Sequence, residues 1–454
     1  MITSHEISLA RHCISHAIRC GASAARISLN KTVTDAYTIL NGELDKVSHS
    51  ADRSIYIYLF VDGRYGTFST NRLEEKELET FTAKAIEMVR MLGEDPCRRL
   101  PDPERTAKDA VTGRELGLFD ERYYGLGSED RLANALRLSR YSSIRQKEDG
   151  FRLISEECEY SCTADDNYVA DSNGFEGRHC ETTFGTFSEM TIEDPEGCKY
   201  SGYWWQTTSK YDDTDFEIGE KALKRAVDQI GPKKRRSGTY RMVVDSTVSS
   251  RLVSPLLTAL NASSIQQKMS FLEDTAGKQV FPSGMTLMDL ARTPGKNGSR
   301  LFDTEGTATK DAPVIENGVV MQYFVNTYNS HKMGIPATVE DVSRPCLLPF
   351  IKGRDLQDGE KEVSLKDILK LTGNGILVTG FNGGNCNPVT GDFSFGIEGF
   401  AFSKGRISHP VREMLITGNI MELWNNLTAA GSDARSSARW QIPSLAFEDV
   451  VFSA

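Results

Sequence analysis

Apolar residues recur at helical spacing through Ile7, Ala10, Ile14, Ala17 and Ile18, a run opened by Ser4 as N-cap and closed by Gly21. The period then falls to two. Residues 25–29, 36–40, 43–48, 54–61 and 65–69 are short β-prone segments, and Asn41-Gly42 and Asp62-Gly63 suit the positive φ angles of tight hairpins. Helical spacing returns at Leu78, Phe81, Ala85, Met88, Val89 and Leu92, with Asn71 as the expected N-cap and Glu74 behind it. Two amphipathic helices on an antiparallel meander predict an N-terminal α+β domain over residues 1–97.

Residues 98–127 lose the period. Charge and proline dominate, as in Arg98-Arg99-Leu100-Pro101-Asp102-Pro103, and the stretch reads as a linker. A middle α/β region over residues 128–236 follows. It opens on a helix from Ser128 with Leu132, Ala135 and Leu136, continues as strands across 151–206 with a turn at Asn173-Gly174, and ends on a helix closed by Gly231-Pro232. Lys233-Lys234-Arg235-Arg236 then suits a solvated link after a helix C-terminus. Residues 237–454 are strand-rich. They include a strand at 240–244, a helical stretch at 247–260 that Pro255 is expected to interrupt or kink, a hairpin at Asn317-Gly318, and short helices started by Ser364 and Asn419. The whole chain reads as α+β: an N-terminal antiparallel sheet with helices, a middle region and a large strand-rich C-terminal domain.

Residues 375–405 are the most informative stretch. A short apolar strand leads into a loop crowded with Gly, Asn and Pro, and a second strand alternates Phe393, Phe395 and Ile397 with Ser394, Gly396 and Glu398. Beyond Gly399 the apolar parity flips to Phe400 and Phe402, as a bulge would produce. Glycines allow a ligand close to the main chain, so Phe381, Asn382, Gly383, Gly384, Asn385, Cys386 and Asn387 are the candidates for binding an extended peptide. A wide structural hairpin is the alternative.

Composition narrows the function classes. With 454 residues, a net charge of -10 and 26% charged residues, the chain divides into several domains and is poorly suited to general nucleic-acid binding. It has neither a basic region followed by an apolar core at residues 1–6 nor an apolar run long enough for a membrane span, which predicts a cytoplasmic protein with no membrane partner. Nine cysteines without a regular framework predict reduced thiols. Cys158, Cys162, His179, Cys180 and Cys198 offer soft donors, but Cys158 and Cys162 also share one face of a strand, as packing thiols would. His12 and His16 lie one helical turn apart with no third ligand apparent, and read as a solvent-facing pair. Cys386 has no histidine near it in sequence to activate it. Gly-x-Ser-x-Gly and a phosphate-binding Gly-rich loop are absent.

The run Gly383-Gly384-Asn385-Cys386-Asn387-Pro388-Val389-Thr390-Gly391-Asp392-Phe393-Ser394 resembles the signature of the TldD/PmbA family, also called the modulator-of-DNA-gyrase family. Ser172-Asn173-Gly174-Phe175, Ser270-Phe271-Leu272 with Gly277-Lys278-Gln279, and Ile416-Thr417-Gly418-Asn419 extend the likeness, whereas residues 336–341 depart from the family's small-residue run. The resemblance implies a cytoplasmic metallopeptidase component, built from a zinc-bearing TldD-like subunit and a metal-free companion. In TldD-like members, the helix after the first C-terminal strand carries His-Glu-x-x-x-His. Here it reads Arg251-Leu252-Val253-Ser254-Pro255-Leu256-Leu257-Thr258-Ala259-Leu260, and no cysteine follows Cys386 to supply the family's further ligand. That departure resembles the PmbA (TldE-like) branch. It implies no catalytic residue, metal or cofactor in this chain, zinc in a TldD-like partner, and unfolded or extended peptide as ligand. A stand-alone homodimeric binding protein, and a peptidase with displaced ligands, are the other readings.

Overall fold

The computed structural model describes residues 1–144, 150–354, 356 and 362–454. These form two compact units. The first comprises Met1–Lys224, Ala291–Lys310 and Val325–Asp341; the second comprises Arg225–Leu290, Asp311–Phe324 and Val342–Ala454.

The first unit contains α1 (Ser4–Arg19), β1 (Ala24–Leu40), β2 (Glu43–Val61), β3 (Arg64–Thr70), α2 (Glu75–Arg90), α3 (Ser128–Leu138), α4 (Tyr141–Ile144), β4 (Arg152–Asp171), β5 (Glu176–Glu193) and β6 (Lys199–Thr208); α5 (Ile218–Val227) follows. Its six-stranded sheet has the order β3-β2-β1-β4-β5-β6, so the strands of residues 1–97 and 128–236 share one sheet. The hairpins fall at Asn41-Gly42 and Asp62-Gly63, all four residues at positive φ. The segments expected at 25–29 and 36–40 are one strand, β1, and those at 43–48 and 54–61 are one strand, β2.

The apolar stripes of α1 and α2 pack with Ile27, Leu29, Ile55, Ile57 and Leu59 in one core. The cap of α1 is Thr3, one residue before the expected Ser4. Its side chain accepts from Glu6 N at 3.2 Å, and Glu6 Oε2 accepts from Thr3 N at 2.7 Å. Helix α2 starts after Glu74, which makes no side-chain cap, rather than after Asn71. A second core gathers Ile39, Tyr160, Phe184 and α3 residues Ala135 and Leu138. Residues 98–127 are packed rather than extended. Ala107, Ala110, Leu116 and Leu118 are buried with Phe175, Leu301 and Phe302, and Thr106 bridges to Thr307. Apolar residues scattered among charged ones after Pro103 supply that burial without giving any helical or strand period.

The second unit begins with β7 (Gly238–Val244), α6 (Ser250–Ala259) and α7 (Ala262–Gln266). A small sheet of order β10-β9-β8-β11 is made by β8 (Leu287–Asp289), β9 (Ala312–Glu316), β10 (Val319–Val320) and β11 (Pro345–Leu347), while α8 (Thr327–Met333) belongs to the first unit. Then come β12 (Phe350–Ile351), α9 (Leu365–Thr372), β13 (Gly375–Cys386), β14 (Asp392–Ser403), β15 (Arg406–Asn419), α10 (Ile420–Asn425), β16 (Leu427–Ala430) and β17 (Leu445–Ser453). The seven-stranded sheet runs β12-β16-β17-β15-β14-β13-β7, and a further β17–β7 pairing closes it into a barrel. The chain is α+β. Ile368 and Leu369 of α9 pack on Val243, Leu377, Phe402 and Ala446. Helix α6 runs through Pro255, and Trp424 of α10 donates from Nε1 to Leu252 O at 3.1 Å. Among the described residues, no helix is long and apolar enough to cross a membrane.

Candidate functional site

The candidate site lies on the β13–β14 hairpin and the helix α6, all in the second unit. Strand β13 is wider than its sequence suggested, because the stretch read as a Gly/Asn loop still pairs with β14: Asn382 faces Gly396, and Asn385 and Cys386 face Ser394 and Phe393. A register shift between Asn382 and Asn385 absorbs Gly383 and Gly384 as a bulge. Gly384 sits at φ +80°, and a Cβ there would lie 2.0 Å from Ser394 O, so only glycine fits. Register shifts do fall beside Gly399, but their extra residues lie on β13 and β15 and not on β14. Burial along β14 keeps its alternation through Phe393, Phe395, Ile397, Gly399 and Ala401, so the expected parity flip at Gly399 is not found; Phe400 and Phe402 are apolar because they pack with Ile368 and Leu369 of α9.

The other edge of β13 is open. Strand β7 pairs with it in parallel at Ile376, Leu377 and Val378, and Asp245 N then donates to Val378 O at 2.9 Å. From Thr379 to Cys386, β14 is the only strand paired with β13 among the described residues. Arg251 of α6 reaches over this edge and donates from Nη2 to Gly384 O at 3.0 Å. Beside it Phe395 is buried, in edge contact with Phe381 at 5.7 Å and stacked on Phe393 at 5.4 Å. Asn382, Gly383, Gly384, Asn385 and Asn387 are exposed, while Phe381 and Cys386 are half-buried. Asn382 Nδ2 is held by Glu398 Oε1 at 2.7 Å.

The tight turn that remains, residues 387–391, is fastened from three directions. Asn387 Oδ1 accepts from Val389 N at 2.9 Å, making an Asx turn, and Asn387 N donates to Asp392 O at 2.7 Å. Asn419 Nδ2 donates to Thr390 O at 2.8 Å and to Asp392 Oδ1 at 3.0 Å, while Asn419 Oδ1 caps α10. Phe271 N donates to Pro388 O at 3.2 Å. Hydrogen bonds from Asn419 and Thr390 hold the Asp392 carboxyl below the usual carboxylate range. Three stretches far apart in sequence, at Phe271, 387–392 and Asn419, therefore meet at one turn.

Three family models of PmbA/TldA metallopeptidases match the chain in order: domain 1 at residues 25–89, the central domain at 127–230 and the C-terminal domain at 237–454. The chain belongs to the PmbA/TldD metallopeptidase family. The metalloprotease PmbA of Escherichia coli O157:H7 is 24% identical over 93% of this chain and 91% of its own length. Among solved structures, a proposed modulator of DNA gyrase from Bacteroides thetaiotaomicron is 37% identical with a TM-score of 0.92, covering 100% of both chains. TldE from Thermococcus kodakarensis shares the fold at 17% identity and a TM-score of 0.79, over 98% of this chain and 100% of its own.

In this member of the PmbA/TldD family, α6 offers a guanidinium and the hydroxyls of Ser250, Ser254 and Thr258, with no His, Cys, Asp or Glu. Those groups do not fit a zinc ion on that helix. Cys386 is no activated nucleophile: burial and then Asp392 push its thiol pKa up, and its sulfur faces the carbonyls of Asn387 and Gly391. Cys158, Cys162 and Cys180 are buried, and burial raises all three thiols, Cys158 and Cys180 to about 12. They point to separate partners, Ser188, Arg131 and Asp166. His12 and His16 do have a third donor, which the sequence did not reveal: Glu79 of α2.

Proposed function

We propose that this chain is the companion subunit of a zinc-bearing TldD-like peptidase and holds extended or unfolded peptide against β13 for cleavage by that partner. The observation that carries the reading is the open edge of β13 from Thr379 to Cys386, beside the exposed amides of Asn382, Asn385 and Asn387. An extended peptide can add to such an edge through main-chain hydrogen bonds, with little demand on its sequence. Phe381, half-buried against Phe395, supplies an apolar surface beside the edge. Support for the companion role comes from family membership together with the donor-poor α6. With no ligand set on that helix to activate water, the hydrolytic step falls to the TldD-like partner.

The test mixes the purified chain with a TldD-like protein from the same cells and measures co-elution and cleavage of an unfolded polypeptide. Cleavage by the mixture well above that of the TldD-like protein alone is the expected result. Equal cleavage with and without this chain would sink the companion reading. A self-associated species that binds peptide without turnover would instead favour a stand-alone binding protein.

A further inference from the structure

Helices α1 and α2 bring together a donor set that the peptide edge does not use. On α1, His12 and His16 are four residues apart, their rings 6.2 Å between centroids and inclined by 22°. On α2, Glu75 and Glu79 have the same spacing. Glu79 Oε1 lies 2.9 Å from His12 Nε2 and 3.6 Å from His16 Nδ1, and Glu75 Oε1 lies 3.7 Å from His12 Nε2. One ligand atom from each of His12, His16 and Glu79 falls within 4.8 Å of the others. All three are half-buried, so an ion could enter from solvent yet would be partly shielded from it.

A structural ion pair accounts for only part of this arrangement. The short contact between His12 and Glu79 is an ordinary imidazole–carboxylate hydrogen bond, but it gives no reason for a second imidazole to converge on the same oxygen. A tetrahedral ion with bonds of about 2.0–2.1 Å to imidazole and carboxylate needs donors roughly 3.3 Å apart. The observed 2.9 and 3.6 Å bracket that edge. The remaining nitrogen of His16, Nε2, lies 3.3 Å from Cys20 Sγ. That contact orients the ring with Nδ1 toward Glu79, as an outer partner does for a ligating histidine. Both helices are rigidly seated, because Leu9, Ala10, Cys13, Ile14 and Ala17 of α1 and Leu78, Ala85, Ile86 and Val89 of α2 lie in one core.

We infer that His12, His16 and Glu79 bind a divalent transition-metal ion of the zinc class, which cross-braces α1 to α2. Two imidazoles and one carboxylate suit such an ion better than magnesium or calcium, which favour oxygen donors. The fourth position falls to water or to Glu75. The site is built wholly from residues 12–79, so it is independent of the donor-poor α6 and of the companion role.

The full-length, tag-free chain, stripped of metal with a chelator, is titrated with Zn²⁺ by calorimetry and with Co²⁺ by visible absorption. One ion per chain is expected, with tetrahedral Co²⁺ bands and a melting temperature raised by Zn²⁺. E79Q keeps a hydrogen-bond acceptor for His12 but removes a charged ligand, and should weaken binding by more than the roughly 10- to 100-fold typical of losing an outer partner. The double variant H12A/H16A should abolish both the Co²⁺ bands and the Zn²⁺-induced rise in melting temperature. A wild-type chain that takes up no Zn²⁺ overturns the inference. So does an ion bound equally well by wild type, E79Q and H12A/H16A, a result that would place the metal elsewhere and count against the companion reading instead.

Discussion

The guanidinium carbon of Arg251 stands 5.1 Å from the ring centroid of Phe395, and the same side chain donates to the carbonyl of Gly384. Helix α6 is thereby tied to the bulge of β13 by a cation over an aromatic face plus one hydrogen bond. Arg251 is exposed although Phe395 is buried, and each contact contributes about 0.5–1 kcal/mol. R251A should therefore lower unfolding free energy in urea by about 1 kcal/mol while raising hydrogen exchange at residues 382–386. R251K should recover only part of the effect, since lysine lacks the planar fork. Unchanged exchange across those amides in R251A would show that the clasp does not hold the edge in place.

Neighbouring glycines in the bulge make an internal comparison. Gly383 and Gly384 both have positive φ, but a Cβ on Gly383 meets nothing within 4 Å, whereas one on Gly384 lands against Ser394 O. G383A should cost about 1–2 kcal/mol for the left-handed backbone alone. G384A adds a backbone collision that can be relieved only by unpairing β13 from β14, so its cost should be clearly larger. Equilibrium denaturation of the two variants side by side decides the matter, and equal losses would mean that the bulge is not fixed as described.

Much of this hairpin was legible from the order of residues. The alternation of Phe393, Phe395 and Ile397 corresponds to the buried positions of β14, whereas Phe400 and Phe402 mark no flip at Gly399 and instead pack with α9. The run of β13 through Gly383 and Gly384 was not, because main-chain pairing leaves no side-chain pattern to read. The same limit broke β1 and β2 into pieces. Residues 30–35 are Asn-Lys-Thr-Val-Thr-Asp, and the strand there is joined to β4 by polar pairs: Thr32 to Asp165 at 2.6 Å and Thr34 to Thr163 at 3.0 Å. Glu79 was hidden for a different reason, since helix packing sets its distance from His12 and His16 and sequence spacing does not. Family likeness had singled out Phe271, Asn387 and Asn419 separately; their convergence on one turn emerges from the fold.

Asn419 has two roles that a pair of substitutions can separate. Its Oδ1 caps α10 through Met421 N at 3.0 Å, while its Nδ2 donates to Thr390 O and Asp392 Oδ1. N419A loses both roles and should cost about 1–2 kcal/mol. N419D keeps a good cap but sets a second carboxylate against Asp392. It should be less stable than wild type near neutral pH and regain stability as the pH falls and a carboxyl protonates. Denaturation at neutral and mildly acidic pH reads the difference. If N419D matched wild type at neutral pH, capping alone would account for the residue.

Asp303 in the first unit gives a pH dependence of opposite sign to that of a salt-bridged acid. It is 2% exposed, and burial, with the nearby charges of Glu305 and Glu340, pushes its pKa from 3.8 to about 6. Its carboxylate accepts from the backbone N–H groups of Glu305 at 3.0 Å, Thr307 at 2.9 Å and Glu340 at 3.0 Å; these bonds favour the charged form but do not offset the desolvation. Between about pH 4 and 6 the folded chain thus binds a proton that the unfolded chain releases. Its contribution to stability is fully present below the unfolded pKa and is lost as pH rises through the folded one. D303N cannot titrate, and its amide nitrogen would face one backbone donor, so it starts from a lower baseline. Across that window wild type should lose up to about 3 kcal/mol relative to D303N. Unfolding free energies of both proteins measured from about pH 4 to 7 give the test, and parallel curves would mean that Asp303 keeps an ordinary carboxylate pKa in the folded chain.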